Sequence, residues 1–169
     1  MAYLETGNTR LDTNSLQGLA GLTVMMARRT AAELGPPQPV QPGIDDLSFF
    51  PLIYWPVTSD YELDDVSSLA VKEYLRNGGT ILFDTQDRGG GVQVAILRDI
   101  AERLDLPALI PVDASHVLTR SFYLLDTFPG RYADSSLWVE RAGERVNDGV
   151  SPIIAGGNDC LLCTSDAAD

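Results

Sequence analysis

Asn77-Gly78-Gly79-Thr80-Ile81-Leu82-Phe83-Asp84-Thr85 is the stretch on which the fold turns. Asn77, Gly78 and Gly79 end a helix, because glycine enters the left-handed cap conformation at no steric cost. Residues 80–83 then read as a continuous apolar strand, the pattern of a strand covered on both faces in a parallel sheet. Asp84 and Thr85 follow at its carboxyl end, where open α/β sheets collect ligands.

Working upstream, Val66, Leu69, Ala70, Tyr74 and Leu75 recur at helical spacing, and Asp64 or Asp65 is placed to cap that helix. Before it, Phe49, Phe50, Leu52, Ile53, Tyr54, Trp55 and Val57 form an aromatic and β-branched run that reads as a buried strand, with Pro51 and Pro56 confining the ladder to its middle. A Pro-rich connector spans residues 36–43. The first helix carries Leu16, Leu19, Ala20, Thr23, Met26, Ala27, Thr30 and Leu34 on one face, with a cap expected at Thr13 or Asn14 and a stop at Gly35-Pro36-Pro37. A short apolar piece, residues 2–6, precedes it.

Downstream, Gly89, Gly90 and Gly91 form a loop before a third helix with Val92, Ala95, Ile96, Ile100 and Leu104 as its stripe, and Pro107 lies beyond its end. Residues 117–125, 137–140 and 150–155 are strand candidates separated by turn signals. Strand and helix thus alternate three times before a mainly strand-forming remainder. That order predicts an α/β domain with a mostly parallel sheet, helices on both faces and some antiparallel additions.

The 169 residues suit one domain, and 44% hydrophobic with 21% charged residues is an ordinary globular composition. Asp and Glu number 24 against 12 Lys and Arg, a formal charge of −12 that repels phosphate backbones and anionic lipid heads, so nucleic acid is not an expected partner. No apolar run approaches the ~20 residues needed to cross a bilayer, and residues 1–10 lack the pattern of a signal peptide. The segment is expected to be soluble and not itself inserted in a membrane. Cys160 and Cys163 have C-x-x-C spacing, yet they lie near the end of the chain without the strand-to-helix context of a redox pair, so incidental thiols are the simpler reading.

Longer motifs carry a resemblance: Tyr3-Leu4-Glu5-Thr6-Gly7-Asn8, Phe49-Phe50-Pro51-Leu52-Ile53-Tyr54-Trp55-Pro56, the stretch 77–85 quoted above, His116-Val117-Leu118-Thr119-Arg120-Ser121-Phe122-Tyr123, Phe128-Pro129-Gly130-Arg131 and Gly156-Gly157-Asn158-Asp159. Together they resemble the bacterial family called domain of unknown function 4159, over almost the whole chain. The resemblance implies a class I glutamine amidotransferase-like fold, that is, a flavodoxin-like three-layer sandwich. It also implies that residues 1–169 are one domain from the C-terminal part of a larger, membrane-anchored bacterial protein. The chain departs from the amidotransferase pattern in having no Gly-x-Cys-x-Gly elbow, and Phe83-Asp84-Thr85-Gln86-Asp87 presents carboxylates where a nucleophile is needed. Cys160-Leu161-Leu162-Cys163 stands where the resemblance leads one to expect aromatic residues.

Three groups of residues bear on chemistry. His116 is the single histidine, so any imidazole base or ligand is this residue; the alternative is a hydrogen-bonding residue at a strand entrance, and Ser115 beside it does not make a Ser-His dyad. Asp84 and Asp87 with Thr85 suit a hydrated divalent ion, against a structural reading in which Asp84 caps the loop and Asp87 faces solvent. Arg88 before the three glycines suits an anion site or a plain connector, since neither G-x-G-x-x-G nor a P-loop Lys is present.

The expected cleft brings Asp84, Thr85, Asp87, Arg88, His116, Arg120, Asn158 and Asp159 together at the strand ends. The expected function is a non-catalytic ligand-sensing or protein-interaction module that contacts other domains of its parent or a protein partner. Its rival is a hydrolase or transferase using Asp84, Asp87 and His116, with a divalent metal as the one cofactor weighed.

Overall fold

The computed structural model describes residues 1–86, 92–113, 116–120, 137–140 and 151–157. Seven strands form one sheet in the order β2-β1-β3-β4-β7-β6-β5, where β1 is Ala2–Leu4, β2 Gln38–Val40, β3 Leu52–Pro56, β4 Thr80–Asp84, β5 Leu109–Pro111, β6 Trp138–Glu140 and β7 Ile153–Gly156. The ladders from β2 to β7 are parallel, and β6 runs antiparallel to both its neighbours. The helices are α1 (Thr9–Arg29), α2 (Asp65–Arg76), α3 (Val92–Arg103) and the short α4 (Val117–Arg120). This is the flavodoxin-like three-layer arrangement.

Strand alternation divides the core in two. Tyr3, Tyr54 and Leu82 point to one face and pack on Leu19 and Leu22 of α1. Ala2, Leu4, Ile53, Trp55, Ile81 and Phe83 point to the other and meet Val71 and Tyr74 of α2 and Ile100 and Leu104 at the end of α3. Trp55 sits at the centre of this larger cluster, edge-on to Tyr61 and tilted against Phe83, with centroids 5.7 and 5.3 Å away.

The α2–β4 junction follows the expectation from its residues. Asp64 Oδ1 accepts from the Ser67 N–H at 2.7 Å to start the helix, and Gly78, at φ 90°, ends it. Residues 137–140 and 150–155 supply β6 and β7, and Val150 itself lies outside the described residues.

Other expectations are corrected. Helix α1 begins at Thr9, because Asn8 Oδ1 accepts from Arg10 and Leu11 N–H and caps it one turn earlier than Thr13 or Asn14. It ends at Arg29, well before Gly35, where Thr30 turns extended and its N–H and hydroxyl both bond Met26 O. Its buried side is Ser15, Gly18 and Leu19, while Leu16 is exposed. The connector 36–43 contains β2, an edge strand that tolerates Pro39 because its outer side needs no ladder partner.

Leu47–Phe49 is a 3₁₀ turn capped by Asp46, so Phe49 and Phe50 are not strand, and β3 instead continues through Pro56. In α2 the buried residues are Ser67, Ser68, Val71 and Tyr74, with Val66 and Leu69 outside; Val92 of α3 is likewise exposed. Residues 117–120 of the expected strand 117–125 are helical; the remainder lies outside the described residues.

The Asn8 cap also donates from Nδ2 to Asp60 Oδ2 at 2.7 Å, tying the β1–α1 turn to the β3–α2 loop. Asn8→Ala removes all three side-chain bonds. Urea unfolding should show a loss of about 1–2 kcal/mol, read as a lower midpoint with an unchanged slope.

Candidate functional site

The chain leaves β1 for α1 on one side and returns at β3 on the other, so the strand order reverses between β1 and β3. At such a switch point the loops after the carboxyl ends part and leave a crevice. Here a cavity of about 540 Å³ opens among residues 5–7 after β1, 41–44 after β2 and 61–67 after β3.

Each loop is fixed by its own sequence. Gly7 and Gly43 take φ of 78° and 83°, turns that a side chain disfavours, and a Cβ on Gly43 would also press on Val66 Cγ1 at 3.0 Å. Thr6 donates from N–H and hydroxyl to Asp12 Oδ1 at 2.9 and 2.8 Å, folding the β1 loop onto the first turn of α1. Gln41 Nε2 donates to Glu5 Oε2, and Gln41 N–H to Asp45 Oδ2. Ser67 Oγ donates to Pro42 O at 2.9 Å, joining α2 to the β2 loop.

The lining is acidic. Glu5, Glu62 and Asp64 contribute carboxylates, and no Lys, Arg or His is among the lining residues. The Ser67 backbone N–H and then its hydroxyl hold the Asp64 carboxyl below its usual range, while burial pushes the Tyr61 phenol up. At the mouth stand exposed apolar side chains, Ile44 at 79% and Val66 at 63%, with Leu69 at 63% one turn further along α2.

Of the residues singled out from the sequence, the described ones, Asp84, Thr85, His116 and Arg120, are not among those lining this cavity. Asp84 and Thr85 end β4 and are buried; Asp84 accepts from the Tyr54 hydroxyl and Gln86 N–H, both at 2.9 Å, and Thr85 N–H donates to Gly156 O on β7. His116 follows the carboxyl end of β5, at the same end of the sheet as Asp84, but β7 and β6 intervene. Three ladder spacings are about 14 Å.

His116 does not enter a strand. Its Nδ1 accepts from Leu118 N–H at 3.2 Å, which puts the proton of neutral imidazole on Nε2, and its backbone carbonyl accepts the Thr119 hydroxyl at 2.7 Å. Arg120 ends the same short helix and is exposed. Asp87, Arg88, Asn158, Asp159 and the two cysteines lie outside the described residues. Among the described residues no three His, Cys, Asp or Glu side chains gather in a way that suits a metal ion, and no helix is long and apolar enough to cross a membrane.

Residues 1–163 match the family model described as Domain of unknown function (DUF4159). The chain belongs to that family. No curated protein and no solved structure gives a significant match to this DUF4159 member.

One backbone feature beside Asp84 was not legible from the sequence. Gln86 adopts a φ of 56°, in the left-handed region that non-glycine residues rarely occupy. Gln86→Gly should therefore raise stability by about 1 kcal/mol in urea unfolding, whereas Gln86→Val should lower it.

Proposed function

We propose that this DUF4159 domain is a non-catalytic protein-interaction module of a membrane-associated bacterial parent, built on an amidotransferase-like version of the flavodoxin-like sandwich without the amidotransferase nucleophile. The observation that carries the reading is the apolar surface formed by Ile44, Val66 and Leu69 beside the switch-point crevice. Val66 and Leu69 are three residues apart on α2 and so share a face, and position 43 abuts Val66, which brings Ile44 to the same edge. Soluble monomers seldom leave such side chains together in water unless something covers them.

The reading as a hydrolase or transferase has less support. It needs Asp84 and His116 to act on one substrate, and Asp84 ends β4 whereas His116 follows β5, with β7 and β6 between those two strands. A divalent ion at Asp84 also competes with the bonds that its two carboxylate oxygens already accept.

A photo-crosslinking side chain placed at position 66 or 69 of the parent protein in its own cells should form adducts with one protein, mapped by mass spectrometry to one segment. Ile44→Asp should abolish them, and the same probe at Arg28 near the end of α1 should form none. Adducts of equal yield at all three positions, or none at 66 and 69, would overturn the proposal. Ammonia release from glutamine, compared between wild type and a Cys160→Ser, Cys163→Ser variant, checks the non-catalytic part: a release that the double substitution abolishes would make the thiols an active site.

A further inference from the structure

The crevice and the apolar surface are contiguous, because Ile44 and Val66 belong to both. An occupant therefore meets two chemistries at once: carboxylates within and aliphatic side chains outside. We infer that the crevice receives a lysine or arginine side chain from a partner segment whose neighbouring residues are aliphatic and cover Ile44, Val66 and Leu69. This rests on the interaction reading above and adds what that reading leaves open, the chemistry of the partner.

Charge complementarity decides among occupants. Glu5, Glu62 and Asp64 line the cavity with no cationic side chain among the lining residues, and their three charges outweigh the roughly half unit of positive charge at the α2 N-terminus, so an anionic ligand meets net repulsion. A purely apolar segment would strip water from three carboxylates and return nothing for it. An ammonium or guanidinium group answers them directly, and its alkyl stem lies naturally along apolar surface. The formal charge of −12 adds long-range attraction for a basic partner.

The pocket is also prepared for such a group. Gln41 holds Glu5 in place, so one carboxylate is oriented in advance. Tyr61 forms an aromatic wall, braced edge-on against buried Trp55, and an aromatic face attracts a cation. At about 540 Å³ the cavity lies within the range of ordinary ligand sites.

The test uses the full chain, isotopically labelled, and three capped pentapeptides that carry lysine, norleucine or glutamate between two leucines. The lysine peptide should shift the amide signals of residues 5–7, 41–44 and 61–67, and 0.5 M NaCl should weaken it. Glu5→Gln with Glu62→Gln should lower its affinity roughly tenfold, as two lost charge pairs of this kind do. If Glu5→Gln perturbs the fold, Glu62→Gln alone should still give a drop of about threefold. The norleucine peptide binding as tightly as the lysine peptide would overturn the inference while leaving the interaction reading intact, provided positions 66 and 69 still crosslink. Failure of all three peptides to bind would also overturn it. Loss of the crosslinks themselves would instead remove the interaction reading beneath it.

Discussion

Gly79→Ala is expected to destabilise the fold by about 3 kcal/mol or more, the upper range for overpacking a core. A Cβ on residue 79 would lie 2.2 to 2.5 Å from three ring carbons of Tyr74, closer than any real contact. The ring has no easy retreat. Its hydroxyl donates toward Phe50 O and Thr80 O at 2.9 and 3.0 Å and accepts from Thr80 N–H at 3.1 Å, while the ring packs into the larger core. Gly79 N–H in turn bonds Tyr74 O, so backbone and ring are held together at the α2–β4 turn. Urea unfolding measures the loss. Combining Gly79→Ala with Tyr74→Leu, which frees the space, should cost clearly less than the sum of the two single changes.

The same tyrosine yields a pH signature. Burial pushes its pKa up to about 12 from 10.0, outweighing the opposing hydrogen bond from Thr80. A raised folded-state pKa means the unfolded chain loses its proton first. The contribution is therefore complete below about pH 10 and declines as pH rises from about 10 to about 12. Tyr74→Phe should flatten that decline in a series of unfolding curves.

Why the α2–β4–β7 half of the fold can be read from sequence, and much of the rest cannot, follows from what each element must satisfy. Strands β3, β4 and β7 lie inside the sheet, so nearly every residue is apolar and the run announces itself. Strand β2 is an edge of three residues containing a proline, with no such run to display. Helix α1 begins early because Asn8 caps it, a side-chain bond that the apolar periodicity beginning at Leu16 does not register.

In α2 the periodic apolar residues are misleading because two of them face outward. Val66 and Leu69 stand on the outer face as part of the apolar surface, whereas the inward positions include Ser67 and Ser68. Ser67 is accommodated because its hydroxyl reaches Pro42 O. An exposed apolar stripe and a core stripe have the same spacing, and only the sheet shows which side is inward. The crevice is hidden for a related reason: three loops far apart in sequence build it. Its one legible trace is the recurrence of acidic residues after the strands, Glu5 after β1 and Asp60, Glu62 and Asp64 after β3.

Asp84→Ala should cost about 3 kcal/mol, because this carboxylate is a structural acceptor inside the protein. It is 4% exposed, points to the α1 face with Tyr54 and Leu82, and accepts from the Tyr54 hydroxyl on Oδ2 and from Gln86 N–H on Oδ1. Alanine removes both acceptors from a site where water does not readily replace them, and each donor deprived of its partner costs about 1–3 kcal/mol. Asp84→Asn should cost less than Asp84→Ala, since its amide oxygen still accepts from one donor and its NH₂ can donate to the Tyr54 oxygen once that hydroxyl turns. The contrast with a metal site lies in linkage. An ion bound by Asp84 in the folded state would raise the wild-type midpoint as Mg²⁺ is added, and Asp84→Asn would abolish that rise. Thermal unfolding of both proteins from zero to 10 mM Mg²⁺ should give parallel responses, with the offset between them unchanged. A Mg²⁺-dependent gain confined to the wild type would return Asp84 to the role of ligand and reopen the hydrolase reading.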